Sequence, residues 1–305
     1  MSTADPAAKT AEITTESVAT RFAGVESWPT EDMVSAMIEG QMAAVAAVQA
    51  VAGALAAAID AATERLSGGG RLIYLGAGTS GRIAVQDAAE LLPTFGWPPE
   101  RALALMAGGE GALLRAVEGA EDDGPAAIKA LEAQALAAQD VVIGIAASGR
   151  TPFTVAGLAH ARDKGALTVG VFNNPGGALG TVCAHPLLVH TGAEIVAGST
   201  RMKAGTAQKA VLNILSTGVF LRLGHVWRGR MVEMAPTNAK LRTRAIAMVA
   251  ELASASPAES ERALDEGGSI KAAVVMLARD VPGDEALRLL AACDGRLHLA
   301  LTAQL

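Results

Sequence analysis

Three short stretches place glycines, hydroxyls and cations where a bound anion would need them. The first is Gly76-Ala77-Gly78-Thr79-Ser80-Gly81, between a short apolar run and an amphipathic one. A strand, a glycine loop and a helix in that order form a phosphate site. The glycines let the backbone approach the anion, and the helix start offers unpaired N–H groups and the positive end of its dipole. Gly78, Thr79, Ser80 and Gly81 are the candidate contacts. The second stretch, Ser148-Gly149-Arg150-Thr151, repeats the theme ahead of another helix. Two such loops at the ends of two strands point to one shared anion site, although Ser148 and Thr151 also suit ordinary helix caps. The third is Ser199-Thr200-Arg201-Met202-Lys203. Its hydroxyls suit a helix cap, whereas cations in a first turn oppose the dipole. A phosphate held by Ser199 and Lys203 would account for them, and so would a carboxylate partner such as Glu194.

Spacing alone leaves the anion open. The first loop fits the G-x-G-x-x-G dinucleotide pattern, a weak signal by itself. That reading wants an acidic residue near the end of the second strand. Glu100 comes before that strand and Glu110 after its two glycines, so neither fits. Two hydroxyl residues between glycines suit a phosphate monoester better than a pyrophosphate, and a purely structural tight turn remains the third reading. Among the carboxylates, Glu90 ends an apolar-faced helix. Glu118, Glu121, Asp122 and Asp123 form a run that reads first as a solvated face. The run has no calcium-loop grammar, the five histidines lack ligand spacing, and no serine sits in a G-x-S-x-G elbow.

The elements that must position these residues alternate. Apolar runs at 72–75, 102–107, 141–145, 167–172 and 186–189 predict strands. Helices are expected at 30–66 (with a break near Gly40), 80–91, 112–118, 126–137, 152–164 and 199–223. A loop is expected over 92–99. Short continuous apolar strands alternating with helices indicate an α/β fold with a parallel sheet covered on both faces. Ligands bind such sheets beyond the carboxyl ends of the strands. After Asn238 the chain reads helical, at 240–252, 259–266, 270–278, 284–292 and 297–301. The expected organisation is an N-terminal arm and helices over 1–66, with little structure in the first 30 residues. An α/β domain over 67–244 and a small helical module over 245–305 follow.

Bulk properties narrow the class. The 305 residues are 51% hydrophobic and 18% charged, enough for a substantial core, and a net charge of −6 argues against nucleic acid as partner. Two distant cysteines, Cys183 and Cys293, make neither a disulfide framework nor a zinc site and suit a reduced cytoplasmic protein. The N-terminus shows no apolar signal segment. The alanine-rich run 42–59 reads as a helix packed on protein rather than a membrane span.

Longer motifs then carry a resemblance. The segments GAGTSGRIAVQDAAELLPTFG (76–96), AVEGAED (116–122), GIAASGRTP (144–152), GAEIVAGSTRMKAGTAQ (192–208) and APTNAKLRTR (235–244) closely resemble the N-acetylmuramic acid 6-phosphate etherase family. The resemblance spans most of 67–244 and continues more loosely over 245–305. It implies the sugar isomerase (SIS) fold, a three-layer α/β/α sandwich, and a homodimer. It also implies cleavage of the D-lactyl ether of a 6-phosphorylated amino sugar without any cofactor or metal, in bacterial cell-wall recycling. By motif, the family's two catalytic glutamates match Glu90 and Glu121, which moves Glu121 out of the solvated-face reading. Two features depart from the family pattern: Leu91-Leu92 stands where Cys-Pro is frequent, and the N-terminal Thr-Glu-x-x-Asn is blurred to Thr15-Glu-Ser-Val-Ala19.

The implied chemistry makes demands. Ether elimination needs a base for the C2 proton, acidified by the open-chain aldehyde, and an acid for the departing lactyl oxygen. The resemblance makes Glu90 the acid and Glu121 a base. One carboxyl must stay protonated while the other is ionised, and an apolar surround of Leu91, Leu92 and Phe95 would serve Glu90. Ten helical residues separate Ser80 from Glu90, roughly 15 Å, long for one sugar phosphate. Either the helix bends or Glu90 serves a site built with a second subunit. The competing class is a non-catalytic sugar-phosphate sensor of the same fold, with a dinucleotide oxidoreductase third.

Overall fold

The computed structural model describes residues 13–303. It divides into two compact units, one holding residues up to Ala88 together with Leu103–Leu215, the other Ala89–Ala102 together with Ser216–Leu305.

The first unit is built on a five-stranded sheet. Its strands are β1 (Leu72–Gly76), β2 (Ala102–Met106), β3 (Val141–Ile145), β4 (Leu167–Phe172) and β5 (His185–Leu188), in the order β2-β1-β3-β4-β5. The β1–β3, β3–β4 and β4–β5 pairs are all parallel. β1, β3 and β4 are buried at every position, as continuous apolar runs covered on both faces must be. Helices α1 (Thr30–Ala47), α2 (Ala52–Ser67), α3 (Gly78–Phe95), α4 (Gly124–Ala133), α5 (Pro152–Asp163), α6 (Leu179–Val182) and α7 (Lys203–Arg222) accompany it. The chain passes between the units within α3, at the start of β2 and within α7. Beneath α3, the buried Tyr74 hydroxyl donates to Asp87 Oδ2 at 2.7 Å and Asn213 Nδ2 to its Oδ1 at 2.7 Å. Burial, then the Asp87 charge, pushes the Tyr74 hydroxyl well above its ordinary pKa.

Several expectations are corrected. The first long helix breaks at a 3-10 turn over Val48–Val51, not at Gly40. The loop expected over 92–99 is helical to Phe95 with Pro93 inside. Gly96, at φ 64°, ends the helix, its N–H bonded to Leu92 O. No α-helix forms over 112–118: a 3-10 turn covers Glu110–Leu113, and the rest is turn, bend and irregular chain. Residues 13–29 carry short 3-10 turns, and Thr15 is fully buried; residues 1–12 lie outside the described residues. Thr30–Ser67 is long and apolar enough to cross a membrane by length and composition alone.

The second unit contains a small hairpin, β6 (Val226–Trp227) with β7 (Arg230–Met231), and five helices. These are α8 (Ala239–Ala253), α9 (Pro257–Gly267), α10 (Ile270–Arg279), α11 (Gly283–Ala292) and α12 (Leu297–Thr302), close to the expected spans. Asn238, Ser256 and Ser269 cap α8, α9 and α10 with their side chains, Ser256 in a full capping box. α10 is nearly enclosed, from Ile270 through Met276. Its Lys271 is buried yet paired, bonded to Glu233 and to Gly295 O, as a buried ammonium requires.

Candidate active site

β1 and β3 are neighbours in parallel register, with Gly76 opposite Ile145. The two Ser-Gly loops therefore leave the sheet side by side. At the first, Gly76 and Gly81 are obligatory: a Cβ on Gly81 would stand 2.8 Å from Gly76 O. Gly78 turns the chain at φ 54°, and a Cβ there would meet nothing within 4 Å. The first backbone bond of the α3 turn runs from Gly81 N to Ala77 O. The N–H groups of Gly78, Thr79 and Ser80 are thus the orphan donors of a helix start. Ser80 is buried, and its hydroxyl donates to Gln208 Oε1 at 2.9 Å. Gln208 in turn donates to Asn173 Oδ1. Ser80 therefore offers its backbone, while Thr79 offers a hydroxyl.

At the second loop, Ser148 Oγ accepts from Arg150 N at 3.1 Å. Thr151 precedes α5 without a side-chain cap bond, and Pro152 takes the first helical position. The plain capping reading of Thr151 therefore fails. Gly149 adopts φ 68°, and its close approach to Gly177 leaves no room for a Cβ on the latter.

Both loops line one cleft of about 450 Å³, with Gly78, Thr79, Ser80, Ser148, Arg150 and Thr151 on its wall together with Glu121 and Asp122. Glu121 sits in a 3-10 turn over Ala120–Asp122 and is exposed to solvent. Asp123 caps α4 instead, accepting from Ala126 N at 2.9 Å. Arg150 is the cation among the lining residues. Gly81 and Gly149 shape the loops without lining the cleft.

The N-terminal segment supplies a wall that the sequence reading missed, in Ile13, Thr15 and Glu16. Asn174 anchors it, taking Thr15 N at 3.2 Å and Thr14 Oγ1 at 3.0 Å on Oδ1 and donating Nδ2 to Thr15 Oγ1 at 3.0 Å. Gly198 N donates to Thr15 O at 2.8 Å. The only signal for it was the Thr15-Glu16 pair of the blurred N-terminal motif.

The third cluster is placed differently. Helix α7 begins at Lys203, not at Ser199, and neither residue is on the cleft wall; Thr200 is. Buried Glu194 takes the N–H groups of Lys203 at 2.9 Å and Ala204 at 3.0 Å. It supplies the negative charge that the helix start favours. Lys203 Nζ donates to Thr191 O at 2.6 Å. Burial holds its ammonium below the ordinary lysine pKa, Glu194 opposes that shift, and Arg21 adds to it.

Glu90 is also absent from the cleft wall. α3 runs unbroken from Gly78 to Phe95, and Glu90 is exposed on it. The apolar enclosure expected around it is not formed: Leu91 and Phe95 are buried, but Leu92 is exposed. One chain thus brings Glu121 to the two Ser-Gly loops and leaves Glu90 off the wall. Both cysteines are free, and burial pushes the Cys183 thiol up to about 11. Among the described residues, no group of three metal-ligating side chains is gathered.

Comparison with known proteins follows the same lines. Residues 54–162 match the family model described as the glucokinase regulatory protein N-terminal SIS domain, and residues 124–217 match the SIS domain. The chain is similar to the N-acetylmuramic acid 6-phosphate etherase of Deinococcus radiodurans, at 46% identity over 94% of each chain. It is 45% identical to that of Streptomyces coelicolor over 96% of this chain and 94% of the other. Identity to that of Escherichia coli is 47%, over 84% and 86%.

Proposed function

The chain belongs to the N-acetylmuramic acid 6-phosphate etherase family, and from that premise we propose how its cleft performs the reaction. The substrate is N-acetylmuramic acid 6-phosphate, and the enzyme is a carbon–oxygen lyase that yields N-acetylglucosamine 6-phosphate and D-lactate. One observation carries the reading: two Ser-Gly loops and Glu121 share a single cleft of about 450 Å³. The phosphate lies against the first N–H groups of α3, with Thr79, Ser148, Arg150 and Thr151 around it. Glu121 removes the C2 proton of the open-chain sugar. The C3–O bond breaks, a C2–C3 double bond forms, and an acid protonates the departing lactyl oxygen. Water then adds at C3.

Glu90 is that acid, supplied by a second copy of the chain. Its motif position supports the role, and its place off the wall of its own cleft supports the second copy. A homodimer also gives α1 a partner: Val34, Ile38, Met42 and Val45 form an exposed apolar stripe at helical spacing. The protein works in the cytosol with both thiols reduced, on sugar released from cell-wall turnover.

The test is lactate release from the 6-phosphorylated substrate by the purified protein, with Glu90→Gln alongside. Wild type releases lactate, and the variant binds N-acetylglucosamine 6-phosphate but releases none. Wild type without lactate release overturns the reading, and an active Glu90→Gln removes the acid assignment.

A further inference from the structure

A second cavity adjoins the phosphate cleft. It measures about 350 Å³ and shares Ala77, Gly78 and Glu121 with it. Its other walls come from Met106, Ala107 and the turn around residues 116–120. Arg82, in the second turn of α3, is the cation among its lining residues, and Glu118 and Glu121 are the carboxylates. The guanidinium is fixed. Nε donates to Leu113 O at 2.9 Å and Nη2 to Ala112 O at 2.7 Å. Among the described residues, no acceptor stands on Nη1. A half-buried guanidinium held by two backbone carbonyls, with one terminal nitrogen left over, is preorganised for a carboxylate.

We propose that this cavity is a carboxylate subsite in which Arg82 Nη1 binds the lactyl carboxylate of the substrate. The inference rests on the etherase reading and adds what distinguishes the substrate from other sugar phosphates. The phosphate anchors one end of the sugar in the first cavity. Arg82 anchors the leaving group in the second, and Glu121 stands on the wall common to both. Two fixed ends hold the C2–C3 bond at Glu121, and the anion on the leaving group is neutralised where Glu118 would otherwise repel it. Arg82 is thus a specificity residue, and it takes no proton.

The experiment varies both partners of the contact. Lactate or lactamide release is measured for N-acetylmuramic acid 6-phosphate and for its lactyl primary amide, with wild type, Arg82→Gln and Arg82→Lys. Wild type prefers the acid by roughly 10- to 100-fold in kcat/KM, the range of a charge-assisted hydrogen bond. Arg82→Gln loses that preference and Arg82→Lys keeps part of it. All three bind N-acetylglucosamine 6-phosphate, which lacks the lactyl group, with equal affinity. Wild type that turns over acid and amide equally overturns the subsite, as does Arg82→Gln that still discriminates. Should Arg82→Gln fail to fold, the wild-type ratio and Arg82→Lys decide alone. Wild type inert on the acid overturns the etherase reading, and the subsite falls with it.

Discussion

Two helix starts in this molecule have the same electrostatic character and opposite uses. At α7, the N–H groups of Lys203 and Ala204 are taken by the buried carboxylate of Glu194. At α3, the N–H groups of Gly78, Thr79 and Ser80 carry no side-chain acceptor among the described residues and lie on the wall of a cleft. Both ends favour an anion. Where the chain supplies that anion, the helix end is structural; where it does not, the end is the one we propose for the phosphate of the substrate. The cations Arg201 and Lys203 drew attention to α7 in the sequence, yet the carboxylate nine residues earlier already answers that helix end.

The comparison can be broken at either helix. Substituting Glu121→Gln beside the α3 site removes a proton acceptor without removing bulk. Lactate release should fall roughly 10²- to 10⁴-fold with N-acetylglucosamine 6-phosphate binding intact; stopped assays and calorimetry check the two halves. Mixing Glu90→Gln and Glu121→Gln chains should restore about a quarter of wild-type activity if each site draws one glutamate from each copy of a two-fold dimer. No recovery would place both glutamates in one chain's site. Glu194→Ala at α7 should act on the fold, costing about 2–3 kcal/mol because two buried donors lose a charged acceptor, seen as a lower denaturant midpoint. Gly78→Ala should cost about 1–2 kcal/mol through its left-handed backbone, and sugar-phosphate affinity should fall as the Cβ enters the cleft. The smallest effect concerns pH. Asp140 is another carboxylate spent on internal donors, Arg71 N at 2.9 Å, Ala137 N at 2.9 Å and the Arg71 guanidinium. Burial would raise its pKa, but the Arg71 contacts and the Ala137 N–H outweigh that and hold it below the ordinary range. A carboxyl depressed in the folded state adds stability above its unfolded pKa of about 3.9 and loses it as pH falls through the folded value. Asp140→Asn should therefore flatten the acid limb of a stability–pH profile.

The same two helices show what a sequence makes legible. The strands over Val141–Ile145 and Leu167–Phe172 were readable to the residue because buried parallel strands are unbroken apolar runs bounded by turn residues. The helices of the second unit were readable because Pro257, Gly267-Gly268 and Pro282-Gly283 punctuate them. Glycine spacing and hydroxyls point to the α3 helix start that we propose for the phosphate. The Glu194 cap is not legible in the sequence, since nothing local shows that a side chain will fold back onto a helix start nine residues on. The wall formed by Ile13, Thr15 and Glu16 depends on Asn174, some 160 residues away, and no short-range pattern encodes it. The two-residue strands at Val226–Trp227 and Arg230–Met231 are too short for alternation to show. The extension of α3 to Phe95 went unread because Pro93 signals a break, yet in the last turn it sacrifices only one helical bond. Glu90's position off its own cleft was legible in outline, from helix rise alone.

The most direct test is hydrogen exchange with and without N-acetylglucosamine 6-phosphate. The account predicts slowed exchange at residues 78–81 and 148–151, with residues 203–204 unchanged because Glu194 already holds them. Protection at 203–204 with none at 78–81 would contradict it.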